Sequence, residues 1–153
     1  MRVEPDLGFC HSVEPPGTAH FVLASDPVAI REGLQSLFAL DLLKSLTEKS
    51  RDSAQIVVAE VLNNVVEHAY SKYPGTIEIW VTRREDFLFV RMADDGLPMP
   101  GGDLPRGRMM NTHDLPEGGF GWFLIRSLSH ELTYHHDGKY NILSLCISVD
   151  HQC

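Results

Sequence analysis

Hydrophobic and polar positions repeat with two different periods along this chain, and the switches between them mark its elements. Ala19 to Ala24 (Ala-His-Phe-Val-Leu-Ala) suits a first strand. Ser25-Asp26-Pro27 follows as a helix start, a capping side chain ahead of a proline in the first turn. Val28, Ile30, Leu34, Leu37, Phe38 and Leu42 then recur at three- and four-residue spacing, which predicts that the helix continues through them. A second set of capping residues, Ser50 to Ser53, precedes a segment rich in Val, Leu and Ala that Pro74-Gly75 closes. Thr76 to Thr82 alternates Ile77, Ile79 and Val81 with polar or amphipathic residues, a half-buried strand. Phe87 to Met92 is its partner across the tight connection Arg83 to Asp86.

The periodicity vanishes from Gly96 to Gly119, where four prolines accompany several glycines, Met109, Met110 and His113. A patternless stretch of that length inside a domain reads as a lid or binding loop. Trp122 to Leu128 is apolar and helical in character. Glu131 to His136 and Asn141 to Val149 are two closing strands that turn at Asp137-Gly138-Lys139. The order strand, helix, helix, hairpin, loop, helix, hairpin predicts an α+β sandwich with helices on one face of a largely antiparallel sheet. Residues 1–18, with Pro5, Gly8, Pro15, Pro16 and Gly17, read as an extended arm, which leaves 19–153 as a single domain.

Composition narrows the function without naming it. At 153 residues, with 43% hydrophobic and 22% charged residues, the chain matches an ordinary soluble globular domain. A formal net charge of -8 argues against a direct nucleic-acid binder with a broad basic face, and permits a protein partner with basic patches. No apolar run approaches a membrane span, and the first residues do not resemble a secretory signal. Cys10, Cys146 and Cys153 are odd in number and lack metal-ligand spacing, so reduced thiols in a cytoplasm are expected.

Three clusters carry candidate chemistry. Glu60, Asn64 and His68 stand four residues apart, and in a helix each such step advances about 40° around the axis. A carboxylate, an amide and an imidazole then share one edge of an otherwise apolar helix, as a binding row or as a merely solvated polar face. Asp94-Asp95-Gly96-Leu97-Pro98 follows a strand end. A carboxylate there can accept from a buried donor such as an exocyclic amine, and the glycine admits close backbone approach; alone, it reads as a turn. Gly118-Gly119-Phe120-Gly121 opens the helix Trp122-Phe123-Leu124-Ile125-Arg126, leaving backbone N–H groups to face an anion.

In this order and spacing, Glu-x3-Asn-x3-His-Ala-Tyr, Asp-x-Gly-x-Pro and Gly-x-Gly resemble the Bergerat-fold ATPases shared by gyrase, Hsp90, histidine kinases and MutL. The short chain, the His-Ala-Tyr ending and the run Gly-Phe-Gly-Trp-Phe-Leu-Ile-Arg are most similar to the anti-sigma factor serine/threonine kinases, over roughly Ala19 to Val149. That resemblance implies a histidine-kinase-like two-layer sandwich, a mostly antiparallel mixed sheet, and ATP with Mg²⁺ as cofactors. It implies a bacterial switch protein that binds a sigma factor and phosphorylates an anti-anti-sigma protein of the STAS type, and it suggests a homodimer.

Residue by residue, the resemblance makes Asn64 the Mg²⁺ ligand and Glu60 the general base. Asp94 becomes the reader of the adenine amine, Gly96 the glycine that lets the base approach, and Gly119 and Gly121 the phosphate-loop glycines. His68 falls at the position beside the phosphates, where a phosphate contact and a packing role are both open. Asp95 is the neighbouring alternative to Asp94, and the Asp-x-Gly spacing favours Asp94. Arg106 and Arg108 in the loop are placed either to screen phosphate charge or to form a solvated turn.

Two rival functions remain open: a nucleotide-binding anti-sigma module without catalysis, and the catalytic domain of a histidine kinase. Ser129-His130-Glu131-Leu132-Thr133 imitates a phosphoacceptor box, but it follows the glycine cluster and runs into a strand. His135 and His136 are adjacent on a strand and so point to opposite faces, which disfavours a metal site. Trp122 and Phe123 are expected to pack the core rather than stack on a base.

Overall fold

The computed structural model describes residues 17–105 and 119–150. The first sixteen residues of the expected arm, with Cys10, lie outside the described residues, as do Arg106, Arg108, Met109, Met110, His113, Gly118 and Cys153.

Among the described residues five strands form one sheet: β1 (Thr18–Ala24), β2 (Thr76–Arg84), β3 (Phe87–Asp94), β4 (Glu131–His136) and β5 (Asn141–Ser148), in the order β1-β2-β3-β5-β4. The sheet expected to be mostly antiparallel is antiparallel at all four pairings. Among the described residues four α-helices accompany it: α1 (Pro27–Phe38), α2 (Asp41–Lys44), α3 (Glu48–Asn64) and α4 (Gly119–Leu128). One core holds the inward strand positions, such as Ile77, Ile79, Val90 and Leu145, against Val57, Val58, Val61 and Leu62 of α3 and Trp122 and Ile125 of α4. The alternate strand positions face away from the helices. There His20 stacks on Trp80 with ring centroids 5.0 Å apart, and the Arg91 guanidinium lies 5.9 Å from the Trp80 ring centre.

The helix starts and stops differ from expectation in instructive places. Asp26 caps α1 as expected, its Oδ1 accepting from the Val28 and Ala29 N–H groups at 3.0 Å each. The helix ends at Phe38 rather than continuing to Leu42, and Leu40 is extended. The break redirects the chain so that Leu43 and Leu46 are wholly buried, and that core burial overrides the helical period. Thr47, not the Ser50 to Ser53 set, caps α3, its hydroxyl accepting from the Ser50 N–H at 3.3 Å. Ser50 is instead buried within the first turn, where its hydroxyl accepts from the Asp150 N–H and ties the end of the sheet to the helix.

Helix α3 also ends before Pro74-Gly75. Past Asn64 it widens into a π-helical turn, Val65–Ala69, closed by the Tyr70 N–H donating to the Val65 carbonyl at 3.1 Å. A π turn advances less per residue than an α turn, so His68 is displaced from the line that an ideal helix would draw through Glu60 and Asn64.

Strand register sets up the site. On the core face, Ile77, Asp94, Asn141 and His136 form one cross-sheet row, and Ile79, Met92, Leu143 and Tyr134 form the next. Gly96 lies immediately beyond, pressed on the end of the α3 π turn. A Cβ there would come within 2.6 Å of the Ala69 carbonyl carbon, while the Leu97 N–H donates to the Ala69 oxygen at 2.8 Å. Both neighbours are backbone and cannot rotate aside. Gly96→Ala is therefore expected to cost about 1–3 kcal/mol of overpacking strain, read as a lower denaturant midpoint with an unchanged m-value. An unchanged midpoint would contradict this contact.

Candidate functional site

Between the two core-face rows and the end of α3 lies a pocket of about 400 Å³, within the ~300–1,000 Å³ usual for small-molecule sites. Its floor is made by Met92, Asp94, Asn141, Leu143 and Tyr134 of the sheet. Val61, Asn64, Val65, His68 and Ala69 of the α3 end form the opposite side. The chain from Leu97 to Pro100 closes one end, and Trp122 of α4 lies beside it. Most of this lining is apolar, with a few polar groups at defined points.

Asp94 is the most constrained of these. Only 6% exposed, it accepts on Oδ1 from the Asn141 side-chain amide at 2.8 Å and the Gly96 N–H at 3.0 Å. Burial raises its pKa above the ordinary carboxylate value; those two hydrogen bonds and the more distant His136 act in the opposite direction. Its Oδ2 has no protein donor among the described residues, so one acceptor remains for a ligand. Asp95 is exposed, and its carboxylate turns to the Tyr70 hydroxyl at 2.9 Å. Burial drives the Tyr70 pKa upward, so that hydroxyl stays protonated. Of the two adjacent aspartates, Asp94 lines the pocket and Asp95 does not.

Asn141 is the residue that the motifs missed. Its amide nitrogen donates to Asp94 Oδ1 and lies 3.2 Å from the Gly96 carbonyl and 3.1 Å from that of Leu97. Its oxygen accepts from the Tyr134 hydroxyl at 2.6 Å and from His136 Nδ1 at 3.0 Å. These partners fix which way the amide faces, and they require the His136 Nδ1 to carry a proton. The signal was present in the strand: Asn141, Leu143, Leu145 and Ile147 share one phase, and an amide among three aliphatics at core positions asks for partners.

At the other end stand the α3 residues. Asn64 is 5% exposed and donates from Nδ2 to the Glu60 carbonyl at 2.8 Å, which leaves its Oδ1 as the atom available to a cation or donor. Glu60 is half-buried one turn earlier. Helix α4 meets this row at Gly121, where a Cβ would lie 2.7 Å from Glu60 Oε2 and 3.6 Å from Asn64 Nδ2. Gly119 and Gly121 sit in the first turn of α4, whose N–H groups have no partner within the helix and favour an anion. His68 lines the pocket but is otherwise exposed. Trp122 is 1% exposed and belongs to the core as expected, while its edge also borders the pocket.

The structure thus brings together Asn64, His68 and Asp94 around one pocket and places Glu60 and Gly121 at its α3–α4 side. Gly96 lies behind Asp94. Ser129-His130 leads directly into β4, and the β4 histidines alternate, His135 outward and exposed, His136 inward to Asn141.

An antiparallel sheet with helices on one face, and a pocket bounded by a helix carrying Glu and Asn and a strand ending in Asp-x-Gly, defines a histidine-kinase-like ATPase fold. Residues 23–147 match the family described as histidine kinase-like ATPase domain, and the chain belongs to that family. It is 30% identical over 97 residues to serine-protein kinase RsbW of Bacillus cereus (strain AH187), covering 60% of this chain and 61% of that protein. The same figures hold for serine-protein kinase RsbW of Bacillus mycoides (strain KBAB4). The chain therefore spans about three fifths of the length of these curated relatives. Among solved structures, the RsbU and RsbW domains of Rv1364c from Mycobacterium tuberculosis superpose with a TM-score of 0.63 at 15% identity. That match covers 92% of this chain and 34% of that one, a likeness of fold. Among the described residues no helix is long and apolar enough to cross a membrane.

Proposed function

We propose that this chain is a Mg²⁺- and ATP-dependent serine/threonine protein kinase of the anti-sigma type, acting in the cytoplasm. In this reading it binds a sigma factor and phosphorylates an anti-anti-sigma protein of the STAS type. The observation that carries the proposal is the placement of a buried, half-satisfied carboxylate at one end of the pocket and the Glu60–Asn64 row at the other. Membership of the histidine kinase-like ATPase family and the likeness to serine-protein kinases support it.

The residues present fit such a ligand. Asp94 Oδ2 suits the exocyclic amine of adenine, the aliphatic and Met side chains of the floor suit a flat base, and Asn64 Oδ1 suits a hard, oxygen-seeking cation. Bound Mg²⁺-ATP would supply the transferable γ-phosphoryl group and neutralise part of its charge. The chain's own residues then position and move protons. Asp94 would orient the base end, the α4 N–H groups at Gly119 and Gly121 would hold the phosphates, and Glu60 would take the proton released by the partner's hydroxyl. His68 stands at the pocket mouth, where it can contact a phosphate.

Gly121 gives a test of Glu60 that leaves the Glu60 side chain itself unchanged. Gly121→Ala pushes on the carboxylate end of a flexible side chain, not on backbone. Phosphoryl transfer at saturating ATP is expected to fall by about tenfold or more, while the melting temperature changes little. An unaltered transfer rate would remove Glu60 from the reacting centre. The function itself is tested by incubating the chain with ATP, Mg²⁺ and a co-purified partner and mapping the acceptor. Phosphoserine or phosphothreonine on the partner is expected. ATP binding without transfer would establish a binding module instead, and phosphohistidine a histidine kinase domain.

A further inference from the structure

Two cavities meet at one side chain. Tyr134 lines the pocket described above and also a second, more open cavity of about 540 Å³ bordered by Asp103, Leu104, Arg126 and Leu132. Its ring is held at both ends. At the strand, Tyr134 pairs with Leu143 in the β4–β5 register. At the far end its hydroxyl donates to Asn141 Oδ1 at 2.6 Å and accepts from the Met99 N–H at 2.9 Å. Because Asn141 donates in turn to Asp94, the phenol is the second side chain beyond the carboxylate that faces the base, with Asn141 between them. The Met99 bond also fixes the Leu97–Pro100 segment against it, so the ring forms a pinned partition and not a mobile flank.

We infer that Tyr134 determines base specificity: it is the wall that restricts the pocket to a purine whose amino group, held at Asp94, carries no substituent. The inference rests on the nucleotide reading of the pocket given above. A group added to the amino nitrogen has to pass Asp94 and Asn141, where it meets a ring that can move aside only by breaking both hydrogen bonds of its hydroxyl. Among the described residues, space lies directly behind that ring. Shortening the side chain joins the two cavities, and the enlarged site takes the bulkier base.

The experiment measures binding of ATP and of N6-methyl-, N6-ethyl- and N6-benzyl-ATP, with Mg²⁺, to the wild type and to Tyr134→Phe, Tyr134→Leu and Tyr134→Ala, each checked by thermal melting. The wild type is expected to lose affinity stepwise with the size of the N6 group. Tyr134→Phe keeps the ring and is expected to keep the discrimination against N6-benzyl-ATP, even as it loses the hydroxyl's two bonds. Tyr134→Ala and Tyr134→Leu are expected to reduce the ATP to N6-benzyl-ATP affinity ratio by about tenfold or more. If the Ala variant does not fold, the Leu variant and the wild-type size series carry the test. A flat wild-type series overturns the inference, as does a folded Leu or Ala variant that binds ATP and discriminates as before. A wild type that binds no ATP overturns the nucleotide reading beneath it, and the ATP arm alone shows that case.

Discussion

Asp94→Asn is expected to weaken ATP binding by about 10- to 100-fold while leaving the ligand-free domain at least as stable as the wild type. The two halves of that result have one cause. Asparagine keeps an oxygen where Asp94 Oδ1 accepts from Asn141 and the Gly96 N–H, so the internal network survives. It replaces Oδ2 by an NH₂ group, and a donor then faces the donor amine of the base. A hydrogen bond to a charged group is worth about 1.5–3 kcal/mol, which sets the fold-change.

Stability moves the other way because the folded state raises the Asp94 pKa through burial. The folded chain holds that proton to higher pH than the unfolded chain, so wild-type stability falls as pH rises from the ordinary value of 3.8 through the raised one. At neutral pH the wild type carries the cost of a buried charge and the Asn variant does not. Melting curves of both proteins between pH 3 and pH 7 are expected to show this fall in the wild type alone. A large loss of stability in Asp94→Asn at neutral pH would mean that Asp94 is retained for the fold.

Glu60→Gln is expected to reduce phosphoryl transfer by about 100- to 10,000-fold, the span typical of a lost general base, with ATP affinity changed only slightly. Glu60 lies outside the ring of residues that border the base pocket, yet it adjoins Asn64 through the bond from Asn64 Nδ2 to its own carbonyl, and Gly121 of α4 faces it. Glutamine preserves that helix geometry and the side chain's length, and removes only the capacity to take a proton. Single-turnover measurement with the mapped partner separates the transfer step from binding. Equal transfer rates in the two proteins would leave Glu60 a structural residue.

The depth to which these features could be read from sequence follows from the range of the interactions behind them. The strand phase of β2 was legible because Ile77, Ile79 and Val81 are buried between less buried neighbours from Thr76 to Trp80, whereas β3 and β5 each carry three consecutive buried residues. The Asp26 cap was legible because its two acceptor contacts reach only residues 28 and 29. Glu60 and Asn64 were aligned correctly since α3 is regular between them. His68 lies beyond that regular stretch, in the π turn, and lines the pocket together with Asn64. Gly96 was read only as room for a ligand, whereas its contact partner lies 27 residues earlier, on another element. The Asp94–Asn141–Tyr134–Met99 chain links three strands and a loop whose outermost members are 47 positions apart, and no local pattern announces such a network. The Ser50 to Ser53 cap failed for a similar reason: Ser50 serves the distant Asp150 backbone.

The claim on which the rest depends is that the pocket between α3 and the sheet binds Mg²⁺-ATP. Isothermal titration of the wild-type chain with ATP in the presence of Mg²⁺, repeated with the metal chelated, tests it most directly. Saturable one-to-one binding that weakens strongly without Mg²⁺ is expected; no saturable heat in either titration would contradict the account.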